Sequence, residues 1–156
     1  MGASTSSGTP TNRRHSRRKL RVLVDTNVVL DQLLQREPWY TDAQVFWQAR
    51  DARQIVTFLP ASVLTDIFYI SRRQVGTAQA RLAVERCLSQ FGLITVNRAR
   101  LVAAAAMPGG DFEDNVQIAC AQHAGLDLIV TRDPAGFRDA PIPAVEPAEA
   151  ARRANP

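Results

Sequence analysis

The stretch Arg21-Val-Leu-Val-Asp25-Thr-Asn27 runs three apolar residues, Val22 to Val24, straight into an acid, a hydroxyl and an amide. An apolar run without polar alternation suits a strand covered on both faces of a parallel sheet. The residues that follow, Val28-Val-Leu-Asp-Gln-Leu-Leu34, read as a helix. A strand that ends on a carboxylate and gives way to a helix presents that carboxylate at the carboxyl edge of the sheet, where open α/β folds bind their ligands. Asp25 is thus the first candidate site residue. The competing reading is that Asp25 or Asn27 merely caps the helix, a role both residue types fill well.

Outward from that stretch, Ile55-Val-Thr-Phe-Leu59, Gly92-Leu-Ile-Thr-Val96 and Leu126-Asp-Leu-Ile-Val130 read as further strands. Between the first two, Arg36 to Tyr40 make a break, and Thr41 can cap a helix reaching about Arg53. Pro60 suits the start of an apolar helix from Ala61 to about Arg73, and Gly76 divides it from a second helix over Thr77 to Gln90. Helical patterns follow from Arg98 to Ala106 and from Asp111 to near Ala124, the second closed by Gly125. A short edge strand at Ala144-Val145 and a helix after Pro147 complete the series. Strands alternating with helices predict an α/β fold, a three-layer α/β/α sandwich around a mainly parallel sheet of four to five strands.

The 156 residues, 46% of them hydrophobic, suit one domain over residues 20–156 with a substantial core. Five of the 19 Lys and Arg lie in residues 1–19, which hold no acid, so the net charge of +4 belongs to this segment and the body is nearly neutral. The segment has too few apolar side chains to fold and is expected to be a disordered basic tail or an RNA-steering arm. Cys87 and Cys120 show no zinc-binding spacing, no apolar run is long enough to span a bilayer, and no cleavable leader follows the basic start. A reduced, cytoplasmic protein with no membrane association is the expectation.

Four acids fall near strand ends or helix starts: Asp25 after strand one, Asp66 in the helix after strand two, Asp114 at the start of the helix before strand four, and Asp133 after strand four. In parallel strands these ends share one side of the sheet, so the acids can meet. Asp66 interrupts the apolar run Val63-Leu-Thr-Asp-Ile-Phe-Tyr-Ile70, where an unpaired carboxylate is costly; a salt bridge to Arg72 or Arg73 is the plainer account. Asp111 reads as the cap of the helix that Asp114 enters, leaving Asp114 as the ligand. Asp133 could instead make an Asx turn before Pro134. Thr131 could hold a metal-bound water or bond its own backbone, and Asn27 could orient Asp25.

Two unit charges about 4 Å apart repel by roughly 4 kcal/mol at an effective dielectric of 20, a penalty that a divalent cation removes. An all-oxygen donor set without neighbouring Cys or His favours Mg²⁺ or Mn²⁺. His15 lies in the tail and His123 in a helix, so neither a zinc site nor a Ser-His-Asp triad has its parts. Lys19 is the only lysine and precedes the first strand. That excludes a P-loop and argues against receiver-type and dehalogenase-type acid clusters, which work with a later lysine.

Taken in order, Val24-Asp-Thr-Asn27, an acid in the helix after strand two, Asp111-Phe-Glu-Asp114-Asn-Val-Gln-Ile-Ala-Cys-Ala121 and Ile129-Val-Thr-Arg-Asp133-Pro-Ala-Gly-Phe137 resemble the PIN domain, including VapC-like toxin ribonucleases. The likeness covers about Leu20 to Val145. It implies a ribonuclease acting on single-stranded RNA, with one or two Mg²⁺ or Mn²⁺ ions held by Asp25, Asp114 and Asp133. Asp66 stands where the family more often has a glutamate, and Asn27 and Thr131 match supporting polar positions. A toxin role with an antitoxin partner and a homodimer are further implications, with the helices around residues 61–91 as a contact face. Arg72, Arg73 and Arg132 are candidates for guiding RNA phosphates. The rivals are a weakly active PIN-like scaffold that binds RNA or a protein, and a nucleotide-binding α/β module; no glycine-rich loop follows strand one to support the latter.

Overall fold

β1 (Leu20–Val24) takes the middle of the sheet because Val22, Leu23 and Val24 leave it no polar face, and all three are fully buried. The computed structural model describes residues 1–2 and 18–155. Most of the basic tail, with its expected disorder, therefore lies outside the described residues. Arg18, which is described, bonds Asp127 at 2.8 Å.

Every strand pairing is parallel. β2 (Ile55–Pro60) lies on one side of β1 and β4 (Leu128–Val130) on the other, with β3 (Gly92–Ile94) and β5 (Ala144–Val145) at the edges, giving the order β3-β2-β1-β4-β5. The five-stranded parallel sheet between helical layers is the sandwich expected from the sequence. β4 starts two residues later than the apolar run suggests. The carboxylate of Asp127 accepts the backbone N–H of Arg21 at 2.8 Å and so ties the start of β1 to the approach to β4.

Side chains alternate across the pleat, so each face of β1 belongs to a different core. Val22 and Val24 pack with α1 (Thr26–Leu34), α3 (Gln44–Asp51), α4 (Val63–Gln90) and α7 (Pro147–Ala154), through Val28, Leu30, Phe46, Ile67 and Ala150. Leu23 faces the other way, with Ile129, towards α5 (Arg98–Ala105) and α6 (Phe112–His123). α2 (Trp39–Asp42) is a short turn between α1 and α3.

Three local expectations change. Thr41 does not cap α3 but lies in α2, where its hydroxyl donates to Glu37 Oε1 at 2.8 Å. Gly76, at φ 84°, kinks α4 while the hydrogen-bonded run continues to Gln90. α4 begins at Val63, which puts Asp66 in its first turn. The consequence for function is topological. From β1 the chain moves outward to β2 and β3, then returns to the other side of β1 as β4, so the crevice between the carboxyl ends of β1 and β4 is a switch point where such sheets bind ligands.

Candidate active site

Asp25 stands at that crevice. Its N–H donates to Val130 O at 2.9 Å, continuing the β1–β4 ladder one residue past the strand. Its carboxylate is 8% exposed and makes no capping bond to α1. Instead Oδ2 accepts from Thr131 Oγ1 at 2.9 Å and Oδ1 from Gln117 Nε2 at 3.1 Å. Bonds of this charge-assisted kind contribute about 1.5–3 kcal/mol each, which offsets much of the cost of burying the carboxylate. Thr131 Oγ1 also accepts the N–H of Asp133 at 3.1 Å, so one buried hydroxyl links the end of β1 to the turn after β4.

The second wall is the start of α6. Asp111 caps this helix, its Oδ1 accepting the N–H of Asp114 at 3.1 Å. The cap fixes Asp114 in the first turn, pointing towards the 3-10 turn Pro134–Phe137. A Cβ on Gly136 would lie 3.3 Å from Asp133 Oδ2 and 3.8 Å from Asp114 Oδ2, so both carboxylates border the space that this glycine leaves open. The Asp114 carboxyl is pushed up to about 6, first by burial and then by Asp111, Asp25, Glu113 and Asp133 around it. Among the described residues the Asp133 carboxylate makes no hydrogen bond, including the Asx bond it might have been spent on.

Other candidates sit differently. Asp66 is exposed rather than enclosed by apolar side chains, because with α4 starting at Val63 it is Val63 and Ile67 that turn inward. Among the described residues it forms no ion pair with Arg72 or Arg73. Its field reaches Glu113, which places it at the margin of the site. Asn27 is exposed and makes no hydrogen bond to Asp25; Gln117 and Thr131 orient that carboxylate instead. Arg132 does not stand free for a phosphate. Its guanidinium lies 3.4 Å from Asp31 Oδ1 and 4.0 Å above the Trp39 ring. Asp31 is 1% exposed; burial pushes its carboxyl up, while Arg132 and Arg36 pull it back down.

Two residues at the site carry no role in the sequence reading. Gln117 holds Asp25, and Glu113 Oε1 accepts the hydroxyl of Thr26 at 3.1 Å. Both flank Asp114 on one face of α6, one residue before it and three after, and that helical spacing was the available signal.

A divalent ion matches the chemistry of this pocket, though among the described residues no three His, Cys, Asp or Glu side chains already stand as closely as ligands of one ion. Three features of the pocket support the fit. Asp114 lacks a counter-charge, as its raised carboxyl shows. Gln117 is 1% exposed, yet its Oε1 has no hydrogen-bond partner. The donors are carboxylate, amide and hydroxyl oxygens, which suit a hard dication. Asp25, Asp114 and Asp133 are the residues placed to hold it.

The family model for the PIN domain matches residues 21–135, and the chain belongs to this family. Among solved structures its fold is that of VapC-type toxins. DNA-bound VapBC from Salmonella typhimurium aligns with a TM-score of 0.61 at 16% identity, covering 82% of this chain and 98% of that one. VapBC-1 from nontypeable Haemophilus influenzae gives 0.61 at 12% identity, covering 83% and 99%. Mycobacterium tuberculosis VapC20, described as a toxin that cleaves the sarcin–ricin loop, gives 0.59 at 16% identity, covering 69% and 86%. No curated protein matches the sequence.

Proposed function

We propose that this chain is a metal-dependent endoribonuclease that cleaves single-stranded RNA and acts as the toxin of a toxin–antitoxin pair. The observation that carries the reading is the meeting of Asp114 and Asp133 beside Gly136, next to a buried Asp25 cross-linked to the turn after β4. When bound, Mg²⁺ or Mn²⁺ supplies a Lewis acid that lowers the pKa of water and neutralises phosphate charge. The protein's own part is positional. Gln117 and Thr131 hold Asp25 in one rotamer, the Asp111 cap holds Asp114, and Gly136 keeps the space between Asp114 and Asp133 free. No histidine or lysine stands at the site as a general base, so water activation falls to the oxygen-lined pocket.

RNA as substrate is favoured by family membership and by VapC20, described as cleaving an RNA loop. The exposed Arg72 and Arg73 on α4 remain available to phosphates, as Arg132 does not. An antitoxin partner or a second copy of the chain suits the apolar residues that α4 leaves exposed, Tyr69, Val75, Leu82 and Leu88. The solved VapBC complexes are the precedent for the first. The exposed, shorter Asp66 favours the second reading, a scaffold with little activity.

Incubating a single-stranded RNA with the protein and Mn²⁺, with EDTA and Asp25→Asn as controls, separates these readings. The nuclease reading expects cleavage that EDTA abolishes and that the variant reduces at least a hundredfold. Cleavage at equal rates by both proteins points to a contaminant, and no cleavage by either supports the scaffold.

A further inference from the structure

Asp66 occupies the position where a longer acid would be expected, and it leaves a gap. It is exposed, makes no hydrogen bond or ion pair among the described residues, and is one methylene shorter than glutamate. Across from it, the first two turns of α6 place Glu113 and Gln117 four residues apart, on one helix face. Each meets one of two consecutive residues at the end of β1: Gln117 reaches Asp25, and Glu113 reaches Thr26.

We propose that Glu113 supplies the oxygen donor that Asp66 does not, completing a site for a hard divalent cation on the α1 side of Asp25. This rests on the metal-dependent reading above. Thr26 Oγ1 donates to Glu113 Oε1 at 3.1 Å, which fixes the carboxylate, and among the described residues Oε2 has no partner. Glu113 lies within the electrostatic reach of Asp66, Asp25 and Asp111, so its charge adds to the field that a cation would neutralise. The independent sign of a missing group is Gln117. Its side chain is 1% exposed and its Nε2 is bonded to Asp25, while the Oε1 on the same amide has no donor. A cation, or water on that cation, between Asp25 and Glu113 would satisfy it. The acid lost in length on α4 is thereby replaced from α6, a different element.

Isothermal titration of Mn²⁺ into the metal-free full chain tests this without any activity assay. Glu113→Gln keeps a carbonyl oxygen to accept from Thr26, so the link between α1 and α6 is preserved; a thermal melt without metal checks the fold. The expected result is at least about tenfold weaker Mn²⁺ binding for Glu113→Gln, comparable with losses seen when groups supporting a metal site are removed. Asp66→Asn is expected to change affinity less than about threefold. Thr26→Val, which leaves Glu113 intact but unanchored, is expected to weaken binding by a smaller factor and keeps the test alive if Glu113→Gln does not fold. Unchanged affinity in Glu113→Gln overturns the assignment, as does a tenfold loss confined to Asp66→Asn. Failure of the unmodified chain to bind Mn²⁺ overturns the metal-dependent reading itself, and so is distinguishable from a failure of Glu113 alone.

Discussion

Replacing Asp114 by asparagine should make the metal-free protein more stable and the metal-loaded protein less so. Its carboxyl has moved from an ordinary 3.8 to about 6, with burial as the first cause and neighbouring acids next. Converted directly, that displacement corresponds to ~3 kcal/mol against the ionised form. Asp114 is only half-buried and water screens much of this, so the release on removing the charge is on the order of 1 kcal/mol. The first turn of a helix favours a carboxylate by roughly 0.3 kcal/mol at such a site, which does not reverse the sign. A carboxyl whose pKa is raised by folding contributes stability that is present below about pH 4 and lost as pH rises through about 6. The gap between Asp114→Asn and the unmodified chain should therefore open across that window. For a chain of this size it amounts to roughly 2–4 °C in melting temperature. Melts in EDTA at pH 5 and pH 7.5, repeated with Mn²⁺ at pH 7.5, are the assay. The variant should melt higher without metal at pH 7.5 and lose the gain that Mn²⁺ gives the unmodified chain. A variant no more stable than the unmodified chain in EDTA at pH 7.5 would refute the claim that these acids lack a counter-charge.

Thr131→Val keeps the shape but removes the hydroxyl shared by Asp25 and Asp133. Denaturant unfolding should show a loss of about 1–3 kcal/mol, and Mn²⁺ titration at least about tenfold weaker binding. Arg132→Ala leaves the buried Asp31 with only the Arg36 guanidinium, 3.9 Å away, and should cost about 1–3 kcal/mol. Gel-shift affinity for single-stranded RNA should stay within twofold; a tenfold fall would restore Arg132 as a phosphate contact. Asn115→Ala removes bonds to Ala104 O at 3.2 Å and Gly109 O at 3.1 Å. It should cost about 2 kcal/mol on unfolding while leaving Mn²⁺ affinity unchanged, since that amide pins the loop before α6.

The frame of this fold was legible because its central strands are apolar on both faces, and a run such as Val22 to Val24 admits few other readings. Even the two-residue β5 stands where the pattern puts it. Helix starts were less legible. Asp66 looks enclosed in a linear run of apolar residues, but placing the first turn at Val63 rotates it outward, and no local signal fixes that starting residue. At the site, the acids announce themselves by position, whereas the residues that orient them do not. Gln117 and Glu113 acquire meaning only when α6 is laid across the end of β1, from 92 and 87 residues away. Arg132 misleads for the same reason: its charge suggests a phosphate, but folding brings it onto Asp31, 101 residues earlier.

The central claim is that Asp25, Asp114 and Asp133 share one divalent ion. Anomalous scattering from a crystal of the unmodified chain soaked in Mn²⁺ tests it most directly. The prediction is a peak between these three carboxylates, beside Gly136. Occupied Mn²⁺ elsewhere, with none among them, would contradict it.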